Sequence, residues 1–248
     1  MNIKINRDAL LKPLANVVSI VERKHALPIL SNILIQGKDG QVKLTATDLE
    51  MQVSLSFKAD LKEEIATTIS ARKFFDITRS LPDDCVIDIA IKDSRVAVKA
   101  NKSRFAIQTL PAKDYPVMTK ASSEAVVITI SQIQLKRLLK QVEFAMAQQD
   151  IRYYLNGLLF EVNGNQLNIV GTDGHRLSFT SIHLDQNYNK TEVILPRKTV
   201  IELIKLLNDS EELVSVELYK GQVSFGFNDI QLISKVIDGK FPDYTRVI

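Results

Sequence analysis

The chain has 248 residues, 45% of them hydrophobic and 25% charged, and a formal net charge of +3. Nine glycines, seven prolines and no low-complexity tract exclude a disordered or fibrous chain, and the apolar share is enough to bury ordinary cores. A single cysteine, Cys85, rules out an internal disulfide, and no run approaches the roughly 18 apolar residues of a membrane span. Residues 1–8 are charged and alternating, unlike the apolar core of a secretory signal, so a cytoplasmic protein without a membrane partner is expected.

Ile3 and Ile5 alternate with polar residues and predict a short strand. Asn6 is a candidate cap for a helix whose apolar stripe is Leu10, Leu11, Leu14, Val17, Val18 and Val21, with Pro13 fitting only near its first turns. Strands follow at 33–36, 42–46 and 52–57, with Lys38-Asp39-Gly40 as a turn. A second helix runs from about Ser70 to Leu81 and stops at Pro82-Asp83-Asp84, before strands at 86–91, 96–100 and 104–110. Residues 117–126 read as a joint. Ser131 then caps a helix carrying Leu135, Leu138, Leu139, Val142 and Met146. Strands at 157–162, 166–171 and 177–182 follow, the first two joined by the hairpin signal Asn163-Gly164-Asn165. Pro196 opens a helix with Val200, Ile201, Ile204 and Leu207, and strands at 213–219, 222–227 and 230–236 close the series.

The two halves repeat. Thr47-Asp48 recurs as Thr172-Asp173 and Arg72-Lys73 as Arg197-Lys198, both displaced by 125 positions; Tyr115-Pro116 recurs as Phe241-Pro242, displaced by 126. Three landmarks in one order, at offsets that differ by a single residue, predict two copies of one domain, residues 1–121 and 122–248. Each copy is expected to be α+β, with two helices packed on antiparallel sheets and the helices lining a concave face.

The charge is carried by the helices. Lys136, Arg137 and Lys140 lie beside the apolar stripe of the helix from Ser131, and the other helices add Lys12, Arg72, Lys73, Arg79, Arg197, Lys198 and Lys205. Aligned by the repeat, these charges form a diffuse strip suited to phosphates and not to base edges; taken one helix at a time, each reads as a solvated face. Gln148-Gln149-Asp150-Ile151-Arg152-Tyr153-Tyr154 offers amides, a cation and paired aromatics. Adjacent tyrosines on a strand face opposite ways, so at least one is exposed; a strand-edge pair and a base-stacking pair both fit. Asp173 and His175 invite an enzymatic reading, but the first copy keeps only Thr-Asp, and no Ser or Cys nucleophile motif accompanies them. The histidines His25, His175 and His183 have no metal-ligand spacing, and no phosphate-binding glycine motif occurs. No catalytic residue, metal or cofactor is expected.

Six segments resemble the bacterial sliding-clamp family, the beta subunit of DNA polymerase III. They are Leu27-Pro28-Ile29-Leu30, Thr47-Asp48-Leu49-Glu50, Ala71-Arg72-Lys73-Phe74-Phe75-Asp76, Gln149-Asp150-Ile151-Arg152-Tyr153-Tyr154-Leu155-Asn156-Gly157, Thr172-Asp173-Gly174-His175-Arg176-Leu177 and Phe241-Pro242-Asp243-Tyr244. The resemblance implies a non-catalytic ring whose basic helical inner wall surrounds duplex or primed DNA and tethers a polymerase. It implies most direct DNA contact from Lys24, Gln149, Tyr153 and Tyr154, with Arg152 and the helix cations as the wider surface. Lys24 stands where arginine is frequent in the family, keeping the charge without the planar fork.

The resemblance also implies a groove that captures short partner peptides with glutamine and leucine-type anchors, walled by Leu155, Thr172, Gly174, His175, Arg176, Leu177, Pro242, Arg246 and Val247. Such peptides would come from the polymerase III catalytic subunit, the clamp loader, other polymerases and repair proteins. Family members carry three domain copies and close head to tail as two-chain rings. Copy one's edge strand around Arg104, Phe105 and Ile107 would be one ring surface. Two copies in this chain lead to the expectation of a truncated form, monomeric by itself. Two other functions stay open at this point: an enzyme built on Asp173 and His175, and a protein-interaction scaffold with merely solvated helices.

Overall fold

The computed structural model describes residues 2–22, 26–61, 63–92 and 94–248. The chain divides into two compact units, Met1–Met118 with Asp229–Gln231, and Thr119–Asn228 with Leu232–Ile248.

Unit 1 runs β1 (Asn2–Asn6), α1 (Arg7–Val18), β2 (Asn32–Lys38), β3 (Gln41–Thr47), β4 (Met51–Lys58), β5 (Asp60–Leu61), β6 (Ile65–Ser70), α2 (Ala71–Ser80), β7 (Val86–Lys92), β8 (Arg95–Ala100) and β9 (Ser103–Gln108). One antiparallel sheet has the order β5-β1-β7-β8-β9, and β4-β3-β2-β6 are neighbours in another. The Asn6 side chain accepts the Asp8 N–H and starts α1. Pro13 is the seventh residue of α1, as the Asn6 cap implied. Leu10, Leu14, Val17 and Val18, buried on either side of it, carry the helix through the missing hydrogen bond. α1 packs on α2, β3 and β4, and α2 buries Phe74 completely; Phe74→Ala would cost about 3–5 kcal/mol.

Unit 2 repeats the plan with β10 (Val126–Ser131), α3 (Gln132–Val142), β11 (Gly157–Thr172), β12 (Leu177–Pro196), α4 (Arg197–Leu206), β13 (Leu213–Leu218), β14 (Gln222–Phe227) and β15 (Ile230–Lys235). β10-β13-β14-β15 are sheet neighbours, β11 pairs with β12, and α3 and α4 pack on each other and on β11 and β12. Leu135, Leu139, Phe160, Leu203 and Phe225 fill this core.

Several boundaries differ from expectation for physical reasons. β6 was not expected because Thr67 and Thr68 interrupt its apolar alternation. Both are buried, and the Thr68 hydroxyl accepts from Asn32 (2.9 Å) and donates to the Leu110 carbonyl (2.8 Å). β10 occupies 126–131, between the expected joint and the next helix. Ser131 stands at the cap position of α3 without a side-chain capping bond, and its buried hydroxyl has no hydrogen-bond partner among the described residues. α3 ends at Val142, so Met146 lies beyond it, and Pro196 is the cap of α4 and not its first residue. β11 is one extended run in which Gly164 has φ 58° and the register with β12 shifts on both sides. A Cβ at Gly171 would lie 3.0 Å from Leu158 Cδ2, whereas thirteen residues of straight strand span about 43 Å. The run therefore doubles back near Gly164, where the Asn-Gly-Asn signal put a turn.

Candidate peptide-binding cleft and basic helix surface

The two Thr-Asp landmarks build the same turn. In unit 1, Asp48 Oδ1 accepts the N–H groups of Glu50 (2.9 Å) and Met51 (2.8 Å). The Thr47 hydroxyl accepts the Leu49 N–H (3.0 Å) and donates to the Met51 carbonyl (2.8 Å). In unit 2, Asp173 Oδ1 accepts from His175 (2.9 Å) and Arg176 (3.0 Å), while the Thr172 hydroxyl accepts from Gly174 (3.1 Å) and donates to the Arg176 carbonyl (2.7 Å). The His175 and Arg176 N–H groups hold the Asp173 carboxyl below the usual range, and its other oxygen accepts from Arg176 Nε at 3.0 Å. Asp173 Oδ1 thus builds the turn shared by the repeat, and Oδ2 holds the Arg176 side chain, a bond that Met51 cannot make in unit 1.

The third turn residue has a left-handed φ in both units, 74° at Leu49 and 88° at Gly174. Leucine is strained there by about 1–2 kcal/mol, whereas glycine is not. At Gly174 the place of a side chain is taken by Arg152: a Cβ would lie 3.0 Å from Nη1 and 3.1 Å from Nη2. Asp150 fixes this guanidinium in a two-point pair, Nε to Oδ1 at 3.0 Å and Nη2 to Oδ2 at 2.9 Å. Arg152 in turn pulls the Asp150 carboxyl down to about 2.

These pieces frame a cleft of about 400 Å³, lined by Arg152, Tyr154, Leu155, Thr172, Gly174, His175, Arg176, Leu177, Pro242, Asp243, Tyr244 and Val247. Leu177 rests on a cluster of Leu159, Val170, Ile194, Phe241 and Tyr244. The Tyr244 ring stacks on Phe179 (centroids 5.8 Å apart), its hydroxyl donates to Glu161 at 3.3 Å, and burial pushes its phenol up to about 12. Arg176 is braced by the Phe144 carbonyl (2.7 Å) and lies over the Phe144 ring. An apolar floor with fixed polar groups at its rim is the composition of a ligand site.

Eight of the nine residues expected to wall a groove line this cleft. Arg246 does not; its exposed guanidinium turns to Asp243 (2.9 Å). Arg152 and Tyr154, expected from the sequence to contact nucleic acid, also line this cleft. Asp243 and Tyr244 join it, and their signal was the Phe-Pro-Asp-Tyr segment itself. The tyrosine pair is not on a strand. It opens a 3-10 turn, Tyr153–Leu155, with Tyr153 59% exposed and set edge-on to Tyr154 at 6.0 Å.

Gln149, Arg197 and Lys198 meet elsewhere in unit 2, in a shallow depression of about 780 Å³ with Gln148 and Asn156. Arg197 also reaches the Glu143 carbonyl (3.4 Å). Lys140 is exposed on α3, but Lys136 is only 17% exposed and is paired with Asp209 at 2.8 Å, so its charge is answered locally. In unit 1, Arg72, Lys73 and Arg79 are exposed on α2. Arg72 donates to the Val21 carbonyl (3.3 Å), and Arg79 pairs with Asp76 (3.4 Å) over the Phe75 ring. Lys24 lies outside the described residues. β9 is an edge strand on which Arg104 is exposed, Phe105 is half-buried and Ile107 is buried. Among the described residues there is no metal-binding cluster, and no helix is long and apolar enough to cross a membrane.

Residues 1–119 match the N-terminal domain of the DNA polymerase III beta subunit, and residues 129–243 match its central domain. The beta sliding clamps of Pseudomonas putida and Escherichia coli K12 are 44% and 43% identical to it, over 100% of this chain and 68% of theirs. The crystal structure of the Pseudomonas aeruginosa sliding clamp bound to griselimycin superposes with a TM-score of 0.96 at 43% identity, again over 100% of this chain and 68% of that one. That of the Caulobacter crescentus clamp gives 0.93 at 38% identity, over 100% and 68%. The chain therefore belongs to the DNA polymerase III beta subunit family, the beta sliding clamps. Its role is that of a processivity factor in DNA replication and not of a catalyst.

Proposed function

We propose that the unit 2 cleft receives a short linear segment of a partner protein, and that the helix-borne cations hold duplex or primed DNA without reading its sequence. The cleft reading is carried by one observation: Leu155 and Leu177 form an apolar floor beside a rim whose backbone donors and side chains are already fixed by the Asp173 and Asp150 bonds. An aliphatic or aromatic anchor fits that floor, and rim groups set its orientation. The partners are the polymerase III catalytic subunit, the clamp loader, other polymerases and repair proteins, each competing through such a segment in the cytoplasm. The DNA reading is supported by Gln149 and Lys198 sharing one depression with Arg197. By family likeness, Lys24, Lys140, Arg72, Lys73, Arg79, Tyr153 and Tyr154 are further DNA contacts. Lys136, already paired, contributes less, and Arg152 serves the cleft first. By family likeness the working assembly is a head-to-tail ring using the β9 edge at Arg104, Phe105 and Ile107, with domains 1–121 and 122–248 as its repeats and Arg246 at the rim of the groove.

The test is a titration followed by backbone amide shifts. Griselimycin, the ligand named for the Pseudomonas aeruginosa relative, and a labelled pentapeptide carrying glutamine, leucine and phenylalanine side chains are the probes. Shifts centred on 172–177 and 242–247 are expected. Shifts centred on 47–51 instead would refute the choice of unit.

A further inference from the structure

Both units contain the turn and the Tyr/Phe-Pro segment that border the cleft, yet the two segments are held differently. In unit 1, the Tyr115 hydroxyl donates to the Asn32 carbonyl at 3.1 Å. Three residues on, the side-chain amide of Gln52 makes both bonds of a backbone-like pair with Met118: Nε2 donates to the Met118 carbonyl at 3.1 Å, and Oε1 accepts the Met118 N–H at 2.8 Å. The Met118 N–H requires an acceptor, which fixes the orientation of the amide. Gln52 is 3% exposed, so these bonds work in a desolvated place.

Strand register identifies the counterparts. Thr47 opposes Gln52 as Thr172 opposes Leu177, and Tyr115-Pro116-Val117-Met118 aligns with Phe241-Pro242-Asp243-Tyr244. Phe241 has no hydroxyl and Leu177 has no amide, so neither stitch can form in unit 2. There the segment turns away into a short 3-10 turn, Tyr244–Arg246, capped by Asp243, and Leu177 and Tyr244 face the cleft that remains.

We propose that the position shared by Gln52 and Leu177 decides which repeat takes a partner peptide: glutamine stitches the following segment onto the strand end and shuts the site, whereas leucine leaves it open and supplies its floor. Unit 1 then holds a closed counterpart of the peptide site. This rests on the cleft reading given above, but one arm of its test needs no peptide.

Two reciprocal variants and one control test it. Leu177→Gln should slow amide hydrogen exchange at Tyr244 at least tenfold and weaken the labelled pentapeptide at least tenfold. Leu177→Ala should weaken the peptide without slowing that exchange. Gln52→Leu should speed exchange of the Met118 amide at least tenfold and add peptide-induced shifts at 47–52. Unchanged exchange at Met118 in Gln52→Leu, or a peptide affinity for Leu177→Gln within threefold of the parent, overturns the proposal. No peptide binding to the parent chain would instead sink the cleft reading, while the exchange rates would still report on the stitch.

Discussion

Gly174→Ala tests the geometry of the cleft most directly, because one methyl group meets two constraints there. The first is conformational. At φ 88° an L side chain is disfavoured by about 1–2 kcal/mol, and alanine's smaller unfolded-state entropy returns about 0.4–1 kcal/mol. The second is steric: the new Cβ would sit 3.0 Å from Arg152 Nη1 and 3.1 Å from Nη2, tighter than ordinary contact. The guanidinium is the far end of a flexible side chain, so it moves by a few tenths of an ångström rather than breaking the turn. The net expectation is a loss of about 1 kcal/mol, roughly fivefold in the folding equilibrium of unit 2. The pair with Asp150 loosens as well. The assay is urea denaturation followed through unit 2 amides, together with a carboxyl carbon-13 titration of Asp150. The Asp150 midpoint, about 2 in the parent, should rise toward the ordinary carboxylate value of 3.8. A variant as stable as the parent, with Asp150 titrating where it did before, would refute both the strain argument and the contact between Gly174 and Arg152.

Leu49→Gly is the converse change. Relief of about 1–2 kcal/mol of left-handed strain offsets glycine's backbone entropy and the lost half-buried leucine surface, so stability should stay within about 1 kcal/mol of the parent, read by thermal unfolding. Lys198→Gln should lower duplex association equally on unrelated sequences and reduce the slope of log K against log salt by about one, whereas Arg152→Gln should affect the peptide more than DNA. More than tenfold sequence discrimination by the parent would argue for base readout. Tyr244 gives a pH prediction. Its folded value, about 12, lies above the ordinary 10.0, so its contribution to stability is complete below pH 10 and lost as pH rises through about 12. Tyr244→Phe should therefore flatten the alkaline loss of unit 2, and an unchanged pH 10–12 profile would exclude this cause. Asp150 has the opposite sign: its folded value is depressed, so the pair with Arg152 is fully present above pH 3.8 and fades only toward pH 2.

Much of this was legible in the sequence because it depends on local periodicity and on repetition. The stripe Leu10, Leu14, Val17 and Val18 gave α1, and Thr-Asp at matched positions gave the shared turn. What stayed hidden depends on partners distant in the chain. Thr67 and Thr68 look wrong for a buried strand until Asn32 and Leu110 are seen to satisfy Thr68. Lys136 looks like a phosphate contact until Asp209, 73 residues on, is found against it. Arg152 and Tyr154 follow Gln149 closely in the chain, and the sequence alone gives no sign that they border the cleft while Gln149 does not. A left-handed residue at Gln149 (φ 56°) and the 3-10 turn that follows redirect them, leaving Gln149 with Lys198 and sending Arg152 to Gly174. Propensity carries no information on such redirection.

The repeat also shows how one backbone supports two uses. The bonds that shape the turn come from Thr47, Asp48, Thr172 and Asp173, and losing any buried partner would expose an unsatisfied group at about 1–3 kcal/mol. Those positions are therefore not free to differ. The bonds shared by the two turns use only backbone groups at 49/174 and 51/176 and nothing at 52/177 or 115/241, so the side chains there are free to differ, and they are where the units diverge. Met51 is buried where Arg176 is exposed, Gln52 stitches where Leu177 does not, and Tyr115 is pinned where Phe241 is not. A leucine strained at φ 74° in the closed unit fits the same logic. The turn imposes its dihedral on whatever residue stands there, and only the unit that must admit Arg152 beside the turn has to meet that demand with glycine.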